Sequence, residues 1–239
     1  MGAMIKREQP SGNTWQFSPE SFSKIKGIMY EHVFTAGSTL FWEGDEAEKL
    51  YYLEKGSIRL TKTADDGKDL CLYYFRDGDL FGELQYPGQQ GKMSYTAEVL
   101  QDARVGVIQQ RDLEILLWQH GDLAIEFSRW LGYMQRLTQV KLRDLMFHGK
   151  NGALASTLIR AANTYGVLDG GTIHFTEKFT HSELASLIGA TRETVNRMLN
   201  QLKKQQVIDT EQGRIVIGDL PALKSICHCE ECPLEICRL

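Results

Sequence analysis

The pattern of apolar and polar positions in residues 34–107 predicts a domain of short β-strands. Apolar runs alternate with turn signals, among them Lys55-Gly56, Asp66-Gly67 and Gly78. An Asp-Gly pair between two such runs is a strong signal for a β-hairpin. The stretches YTAEVL and ARVGVI predict the last two strands. Short strands at this regular spacing are typical of a sandwich or a barrel.

Residues 122–147 predict one long helix, because they contain no proline and a single glycine. Apolar residues recur there at alternating steps of three and four, which is the spacing of a seam between helices. This predicted seam consists of Phe127, Trp130, Met134 and Leu137. Leu131, Leu142 and Leu145 are predicted to widen it toward the rest of the protein. We expect the helix to pack both on its own domain and on a second copy of the chain.

The end of this helix carries charges where the seam would continue. The same steps lead to Lys141 and then to Asp144. A charged pair on an apolar seam is costly unless a partner satisfies it, so Asp144 needs one. Periodicity alone favours an aspartate that is solvated or paired with Arg143. The sequence His-Gly-Lys-Asn-Gly at 148–152 is then predicted to break the helix and form a hinge.

The C-terminal half has the pattern of a helix-turn-helix unit followed by a wing. Residues 152–166 predict an amphipathic helix that a glycine ends, and TIHF predicts a short strand. Thr180 and Glu183 form a capping box that starts the next helix. Residues 189–191 predict a tight turn into a second helix with an apolar face. The stretch VIDTEQGRIVI predicts a two-stranded wing that turns at Gln212-Gly213.

The second helix of this unit carries base-reading chemistry at its start. Arginine can bind guanine through two hydrogen bonds, and glutamate can accept one from cytosine. Four polar residues share the outward face of the first turns: Arg192, Glu193, Asn196 and Arg197. A recognition helix enters the major groove with its N-terminal residues on the base edges. We therefore expect these four residues to read double-stranded DNA.

Composition narrows the classes of function. The chain of 239 residues is 42% hydrophobic, which is enough for two domains. Its net charge of −4 excludes a polybasic binder, so DNA contact requires a local patch. Residues 177–205 supply one, with five Lys/Arg against three Asp/Glu. Because no apolar run could span a bilayer and no signal-peptide pattern is present, we expect a cytoplasmic protein with no membrane partner.

Four of the five cysteines lie within residues 227–237, spaced C-x-C-x2-C-x4-C. Disulfides are unstable in the cytoplasm, so clustered thiols there indicate a metal site or redox chemistry. Zinc sites usually combine two C-x-x-C pairs, and this tail has only one. Spacing alone leaves zinc, an iron–sulfur site and redox thiols open. The fifth cysteine, Cys71, is expected to be a small core residue.

The order of turn glycines in the first half, with the pair Gly82-Glu83, resembles the cyclic-nucleotide-binding jelly roll of the CRP/FNR family. In cyclic-AMP members, the Gly-Glu pair holds the ribose and a later Arg-Ser pair grips the phosphate. Here the arginine position falls on or near Met93, and Lys92 is the cation beside it. Lysine lacks the guanidinium fork that the phosphate uses. The resemblance therefore implies a retained scaffold that binds no cyclic nucleotide, with Glu83 in a structural role. The alternative is that Lys92 takes the place of the phosphate-binding arginine.

Three stretches are similar to the Gram-positive form of FNR in that family: KLRDLMFHGKNGAL, RETVNRML and HCEECPLEICRL. In that oxygen-responsive form, cysteines in the pattern C-x2-C-x4-C and an aspartate of the long helix hold a [4Fe-4S] cluster. The resemblance implies that the ligands here are Cys229, Cys232, Cys237 and Asp144. Cys227 in place of Asp144 is the alternative, and His228 is expected to be a solvated neighbour.

The same resemblance implies a homodimer that reads a palindrome of TGTGA-like half-sites and works with RNA polymerase. The expected fold class is α+β, with a jelly roll over 20–117, a dimerisation helix over 118–148, a winged helix-turn-helix domain over 150–220 and a cysteine tail over 221–239. The expected function is an oxygen-responsive transcription regulator. The alternative is a regulator whose tail binds structural zinc or senses redox through thiols. An iron–sulfur enzyme or electron carrier is disfavoured, because the chain shows no nucleophile–base set and no second cofactor motif.

Overall fold

The computed structural model describes residues 12–65, 67, 69–85 and 91–239. The chain divides into two compact units. The N-terminal unit comprises Pro10–Thr63 and Leu72–Met134, and the C-terminal unit comprises Gln135–Leu239 together with Ala64–Cys71. The boundary between the units therefore lies inside the long helix. None of the described helices combines the length and the apolar character that crossing a bilayer requires.

The N-terminal part of the chain is mostly β-structure, as predicted. A 3-10 helix at Thr14–Gln16 comes first. It is followed by α1 (Pro19–Lys26), β1 (Met29–Phe34), β2 (Thr39–Phe41), β3 (Glu48–Thr63), β4 (Asp69–Arg76), β5 (Asp79–Leu84), β6 (Thr96–Gln109) and α2 (Gln110–Gln119). The strands form one sheet in the order β1-β6-β3-β4, with β2 on β6 and β5 on β3. Aromatic and aliphatic side chains from β3, β5 and β6 fill its core.

Two predicted strand breaks are wrong. At Lys55-Gly56 the chain does not turn, because β3 continues through a bulge where its register with β6 shifts. Gly56 has φ +117°, and a Cβ there would lie 2.8 Å from Ala103 Cα, so glycine marks a bulge and a close backbone approach. The stretches YTAEVL and ARVGVI belong to one strand, β6. The predicted turn at Asp66-Gly67 includes Asp66, which lies outside the described residues, whereas the turn at Gly78 is confirmed with φ +88°.

The long helix, α3 (Gly121–Phe147), is confirmed, and the predicted seam packs on its own domain, which is one of its two expected roles. Phe127 and Trp130 are buried in a core cluster of the N-terminal unit, with Met134 packed against that cluster. Leu131 and Leu142, predicted to face the protein, are exposed. Apolar periodicity gives the spacing of a helix face but does not say what covers that face. In α3, the face with the bulkiest side chains packs in the core of the N-terminal unit.

A second stripe on α3 lies on its exposed side and keeps the same alternating steps of three and four. Its residues are Ile125, Ser128, Gly132, Gln135, Gln139, Leu142 and Met146, and all of them are exposed. The stripe is apolar at its two ends, where Ile125 is 57% exposed and Met146 is 73% exposed. Its middle is small or polar. We call this set the exposed heptad stripe, since it has the geometry of a coiled-coil seam.

The helix break is shorter than predicted. α3 ends at Phe147, and α4 (Gly149–Tyr165) begins two residues later, so only His148 separates them. Gly149 has φ +58°, which glycine adopts without strain. Residues 150–152 are already helical. α4 is not amphipathic as predicted, because every residue from Gly152 to Ala162 is buried.

The remaining elements form a winged helix-turn-helix fold. They are β7 (Gly166–Asp169), β8 (Thr172–Phe175), α5 (His181–Leu187), α6 (Arg192–Lys204), β9 (Ile208–Glu211), β10 (Arg214–Ile217) and α7 (Leu220–Ile226). The predicted capping box of Thr180 and Glu183 is present at the start of α5. The wing turns at Gln212-Gly213, where both residues have positive φ, as a type I′ hairpin requires. The strand order of the small sheet is β7-β8-β10-β9.

A lysine side chain fixes the turn between α5 and α6. Lys150 Nζ donates to the carbonyl oxygens of Ile188 (2.7 Å) and Gly189 (2.8 Å). These carbonyls follow the last turn of α5, where helix carbonyls lack partners within the helix. Gly189 has φ +57°, which permits the tight turn. The ammonium group of Lys150 therefore stabilises the turn that precedes α6.

Candidate metal centre and DNA-binding helix

Asp144 is the most buried acidic side chain of the candidate metal centre, and it has three partners. Its side chain is only 2% exposed. Arg160 Nη2 and Ser156 Oγ, both from α4, donate to Asp144 Oδ2 at 2.5 Å. Arg143 donates to Oδ1 through Nη2 (2.8 Å) and Nε (3.1 Å). The pairing with Arg143 that periodicity favoured is present, but the carboxylate is not solvated.

We expect Asp144→Ala to destabilise the iron-free protein strongly. Removing one member of a buried ion pair leaves the other charge uncompensated, which typically costs ~3–5 kcal/mol. Here the charge left behind is that of Arg160, whose side chain is 8% exposed. Urea unfolding of the two proteins measures the loss. Ser156→Ala, which removes a neutral donor to the same oxygen, is the control and should cost about 1 kcal/mol. Equal stability of Asp144→Ala and wild type would contradict this role.

The three predicted cysteine ligands lie around one cavity of the C-terminal unit. Cys229, Cys232 and Cys237 line it together with Cys227, Arg143, Ser156 and Arg160. The Cys232 thiol lies near Arg143 and helps to raise the pKa of that arginine. Asp144 lines a neighbouring cavity and is joined to this one through its bonds with Arg143, Ser156 and Arg160. The fold therefore brings the three predicted thiol ligands to one cavity, with the predicted carboxylate ligand on the far side of residues that line it.

The four tail thiols are not equivalent. Burial, with a smaller contribution from the nearby Cys229 and Asp144, raises the pKa of Cys227 to about 11. Burial also raises the pKa of Cys237, while the positive charge of Arg160 lowers it. Cys229 and Cys232 are half-buried and more accessible than Cys227. The most protected thiol is thus the one outside the C-x2-C-x4-C pattern.

We expect alkylation of the iron-free protein at pH 8 to reveal this order. The thiolate is the reacting form, so a pKa of about 11 leaves only about 1 in 1000 of the Cys227 thiol reactive at that pH. Iodoacetamide should therefore modify Cys229 and Cys232 before Cys227 and the buried Cys71. Labelling of Cys227 should rise as the pH approaches 11. Peptide mass spectrometry measures the order, and labelling in denaturant is the control. Equal rates for Cys227 and Cys232 would contradict the buried position of Cys227.

Several contacts hold the tail in the C-terminal unit. Arg143 forms an ion pair with Glu230. Lys224 binds Glu231 at 3.2 Å. Asn163 Nδ2 of α4 donates to the Cys237 carbonyl oxygen at 2.8 Å. His228, expected to be a solvated neighbour, stacks its ring on His148 with 5.1 Å between the ring centres.

The donor set fits an iron–sulfur group in its chemistry. Thiolates are the ordinary ligands of such groups, and each cysteine of a four-iron cluster binds a different iron, so the thiols surround a cavity instead of meeting at one point. Within the part of the chain that the structure describes, no three His, Cys, Asp or Glu side chains are close enough to hold a single metal ion. The cavity itself measures about 20 Å³, room for about one water molecule, so a larger group requires the tail to move outward.

The residues at the cyclic-nucleotide position of the jelly roll are engaged within the protein. Glu83 Oε2 accepts a hydrogen bond from the Ser94 backbone N–H at 2.7 Å. Lys92 Nζ donates to the Gly44 carbonyl oxygen at 3.1 Å. Met93 is buried in the core. Glu83 and Lys92 therefore both have hydrogen-bond partners within the protein.

The candidate recognition helix presents its predicted residues outward. Arg192, Glu193, Asn196 and Arg197 are exposed, whereas Val195, Met198, Leu199 and Leu202 are buried. Thr191 caps the helix, with its Oγ1 accepting from the Thr194 N–H at 3.2 Å. A hydrogen bond to its own backbone N–H, together with one from Thr191, lowers the pKa of the Glu193 carboxyl. Glu193 is therefore charged near the N-terminus of α6, where the helix dipole favours a negative charge.

Sequence patterns missed two residues of the candidate metal centre. Ser156 and Arg160 lie on α4 and complete the environment of Asp144. The sequence does contain a signal for Arg160, which lies inside the otherwise apolar helical stretch LASTLIRAA. A buried arginine requires an anionic partner, so this position indicates a nearby carboxylate.

Family models match both halves of the chain. A cyclic nucleotide-binding domain matches residues 31–120, and a Crp-like helix-turn-helix domain matches residues 152–226. These matches coincide with the N-terminal sheet and with the winged helix-turn-helix fold.

Relatives and solved structures agree with these matches. The "Anaerobic regulatory protein" of Bacillus subtilis (strain 168) is 40% identical over 223 residues, which cover 93% of this chain and 94% of that protein. A "CRP-like cAMP-activated global transcriptional regulator" of Mycobacterium tuberculosis (strain H37Rv) is 29% identical over 186 residues, 78% of this chain and 83% of that one. A CooA mutant from Carboxydothermus hydrogenoformans shares the fold, with a TM-score of 0.72 at 20% identity over 85% of this chain and 89% of that one.

The comparisons confirm the predicted fold class and family. The matched relatives are named as a regulatory protein and a transcriptional regulator, which agrees with the prediction that the chain is not an enzyme. The α+β fold, with its N-terminal β-domain, long helix and C-terminal helix-turn-helix, agrees with the solved structure. The match to the Bacillus regulator extends over nearly the full length of both chains. The chain belongs to the CRP/FNR family of DNA-binding transcription regulators.

Proposed function

We propose that the chain is an oxygen-responsive transcription regulator that holds a [4Fe-4S] cluster through Cys229, Cys232, Cys237 and Asp144. The observation that carries this proposal is the shared cavity, around which the fold gathers three thiols beside an arginine bound to Asp144. A relative that is 40% identical is named for anaerobic regulation, which supports the same function. When bound, the cluster would supply oxygen-labile iron–thiolate links between tail and helix.

Asp144 must exchange partners for this role. In the observed structure its Oδ1 accepts from Arg143, which is 22% exposed, while Oδ2 is held by the buried Arg160 and Ser156. The contact with Arg143 is the more accessible one, and Arg143 has Glu230 as a second anionic partner. Binding of iron by Asp144 therefore requires release from Arg143, whereas Arg160 and Ser156 can keep the carboxylate in place. A carboxylate is a harder ligand than a thiolate, so this side of the site is the weaker one.

The tail and the hinge connect this site to DNA binding. Asp144 lies four residues before His148, the single residue that separates α3 from α4. A bound tail would restrain the chain on both sides of this break, and release of the tail would leave the break unrestrained. The recognition helices of a dimer must sit ~34 Å apart, one turn of DNA, to bind two half-sites. Loss of that restraint would lower DNA affinity.

We propose that the exposed heptad stripe of α3 forms the dimer contact. Its spacing suits two parallel helices, and its apolar ends would be buried by a second copy. The homodimer would read a palindrome with TGTGA-like half-sites through Arg192, Glu193, Asn196 and Arg197. It would act in the cytoplasm with RNA polymerase and without a cyclic nucleotide.

Anaerobic reconstitution tests the proposed function. The iron-free protein is incubated with iron and sulfide, and its iron content, visible absorption and affinity for a TGTGA palindrome are measured before and after exposure to air. We expect about four iron atoms per chain, tight DNA binding without oxygen, and loss of both in air. Zinc in the purified protein would contradict the cluster and favour a structural zinc site. A reversible thiol–disulfide change that alters DNA affinity without iron would favour a thiol sensor.

A further inference from the structure

Arg160 is the buried cation of the tail cavity. It lies in the middle of α4, whose residues from Gly152 to Ala162 are all buried. Its side chain is 8% exposed and lines the cavity together with the four tail cysteines. A charged side chain is rarely buried so deeply unless its charge and its donors have partners.

The partners of Arg160 are incomplete. Nη2 donates to Asp144 Oδ2 at 2.5 Å. Nε is buried and, among the described residues, has no hydrogen-bond partner. A buried N–H without an acceptor typically costs ~1–3 kcal/mol. An arginine that lines the thiol cavity therefore has one buried N–H without an acceptor within the described part of the chain.

The charges of the site point to the nature of that acceptor. Three thiolates and one carboxylate would place four negative ligand charges around the cavity. Arg160 is always protonated, and its field already acts on Cys237 and Cys227 in the direction that favours thiolates. Among the described residues that line the cavity, the other cation is Arg143, which is more exposed and is bound to Asp144 and Glu230.

We propose that Arg160 is a positioning residue of the metal centre, whose Nε–H donates a hydrogen bond to a sulfur atom of the iron–sulfur group. Its charge offsets the negative ligands, and its Nη2 keeps Asp144 oriented toward the site. This inference rests on the proposed function, since it assigns a role within the same site. Hydrogen bonds to sulfur and local positive charge both raise the reduction potential of such groups.

Two substitutions at Arg160 separate hydrogen bonding from charge. Arg160→Lys keeps the positive charge and removes Nε, while Arg160→Gln removes both. Arg111→Lys is the matched control, because it makes the same change at an exposed arginine of α2 that does not line the cavity. The proteins are reconstituted anaerobically, their iron and sulfide are counted, and their midpoint potentials are measured by redox titration. Unfolding of the iron-free proteins is followed separately, so that a structural effect is recognised.

We expect the midpoint potential to shift to a more negative value in Arg160→Lys and further in Arg160→Gln, with Arg111→Lys close to wild type. A folded Arg160→Lys protein that fails to load, beside a loaded Arg111→Lys, supports the same assignment. Should Arg160→Gln not fold, Arg160→Lys decides alone. A loaded Arg160→Lys protein with the wild-type potential, or an equal shift in Arg111→Lys, overturns the role of Arg160 and leaves the proposed function intact. Wild-type protein that takes up no iron and sulfide overturns both.

Discussion

Replacing Cys232 by alanine is expected to abolish iron–sulfur binding and anaerobic DNA binding together. Cys232 is the middle one of the three proposed thiol ligands and lines the tail cavity. Without it, two thiolates remain in the C-x2-C-x4-C pattern, too few to hold a four-iron cluster. Anaerobic absorption in the sulfur-to-iron charge-transfer region and DNA affinity, measured on the same samples, test the prediction. An unchanged spectrum with unchanged DNA binding would refute both the ligand assignment and the switch.

Cys227→Ala is the matched control for this experiment. It makes the same change in the same cavity, at the cysteine outside the ligand pattern. We expect it to keep both the spectrum and anaerobic DNA binding. Asp144→Asn is the informative third variant, because it retains an oxygen acceptor for Arg160. A spectrum that is lost in Cys227→Ala and kept in Asp144→Asn would make Cys227 the fourth ligand.

Replacing Arg197 by alanine is expected to weaken binding to the specific DNA site by ~1–3 kcal/mol, or roughly 5- to 150-fold. Arg197 is exposed on the first turns of α6, on the side opposite the buried Val195 and Met198. An arginine that binds a guanine edge through two hydrogen bonds loses both when it is truncated. Binding to a panel of sites with single base changes should show that preference at one base pair of each half-site is relaxed.

Lys203→Ala serves as the control for base reading. Lys203 is exposed in the last turn of α6, far along the helix from its N-terminus. A lysine that contacts phosphate contributes equally to every sequence, so its loss should weaken all sites alike and reduce the dependence of affinity on salt. If alanine at Arg192, Glu193 and Arg197 leaves the sequence preference unchanged, α6 is not the recognition helix.

The helix-turn-helix was predictable because its signals are local. The capping box of Thr180 and Glu183 involves residues three apart, and the turn at Gly189 requires a positive φ that glycine supplies. The apolar face of α6 is set by spacing within 13 residues. Signals between residues so close in the sequence depend little on the rest of the chain. The structure therefore reproduces these elements at their predicted places.

The orientation of α3 was not predictable in the same way. Periodicity identified Phe127 and Trp130 as members of one face, but it could not say whether the N-terminal unit or a second copy covers that face. Large aromatic side chains bury the most apolar area, so the intrachain core takes them. The exposed heptad stripe, with Gly132 and Gln139 in its middle, is too polar to stand out by hydrophobicity.

The surroundings of Asp144 depend on long-range packing. Ser156 and Arg160 reach it only because α3 and α4 lie against each other beyond the break at His148. The predicted turn at Lys55-Gly56 was wrong for a related reason. Glycine with positive φ serves turns and bulges alike, and only pairing with β6 selects the bulge.

The position of Lys150 makes the turn of the helix-turn-helix mechanically dependent on the start of α4. Lys150 follows Gly149 directly, and its ammonium group binds the carbonyls of Ile188 and Gly189. A torsion change at Gly149 displaces this ammonium group, and the two carbonyls must follow it or lose their donor. A rotation at Gly149 would thus be passed through the Lys150 side chain to the turn that precedes α6, and so to the recognition helix.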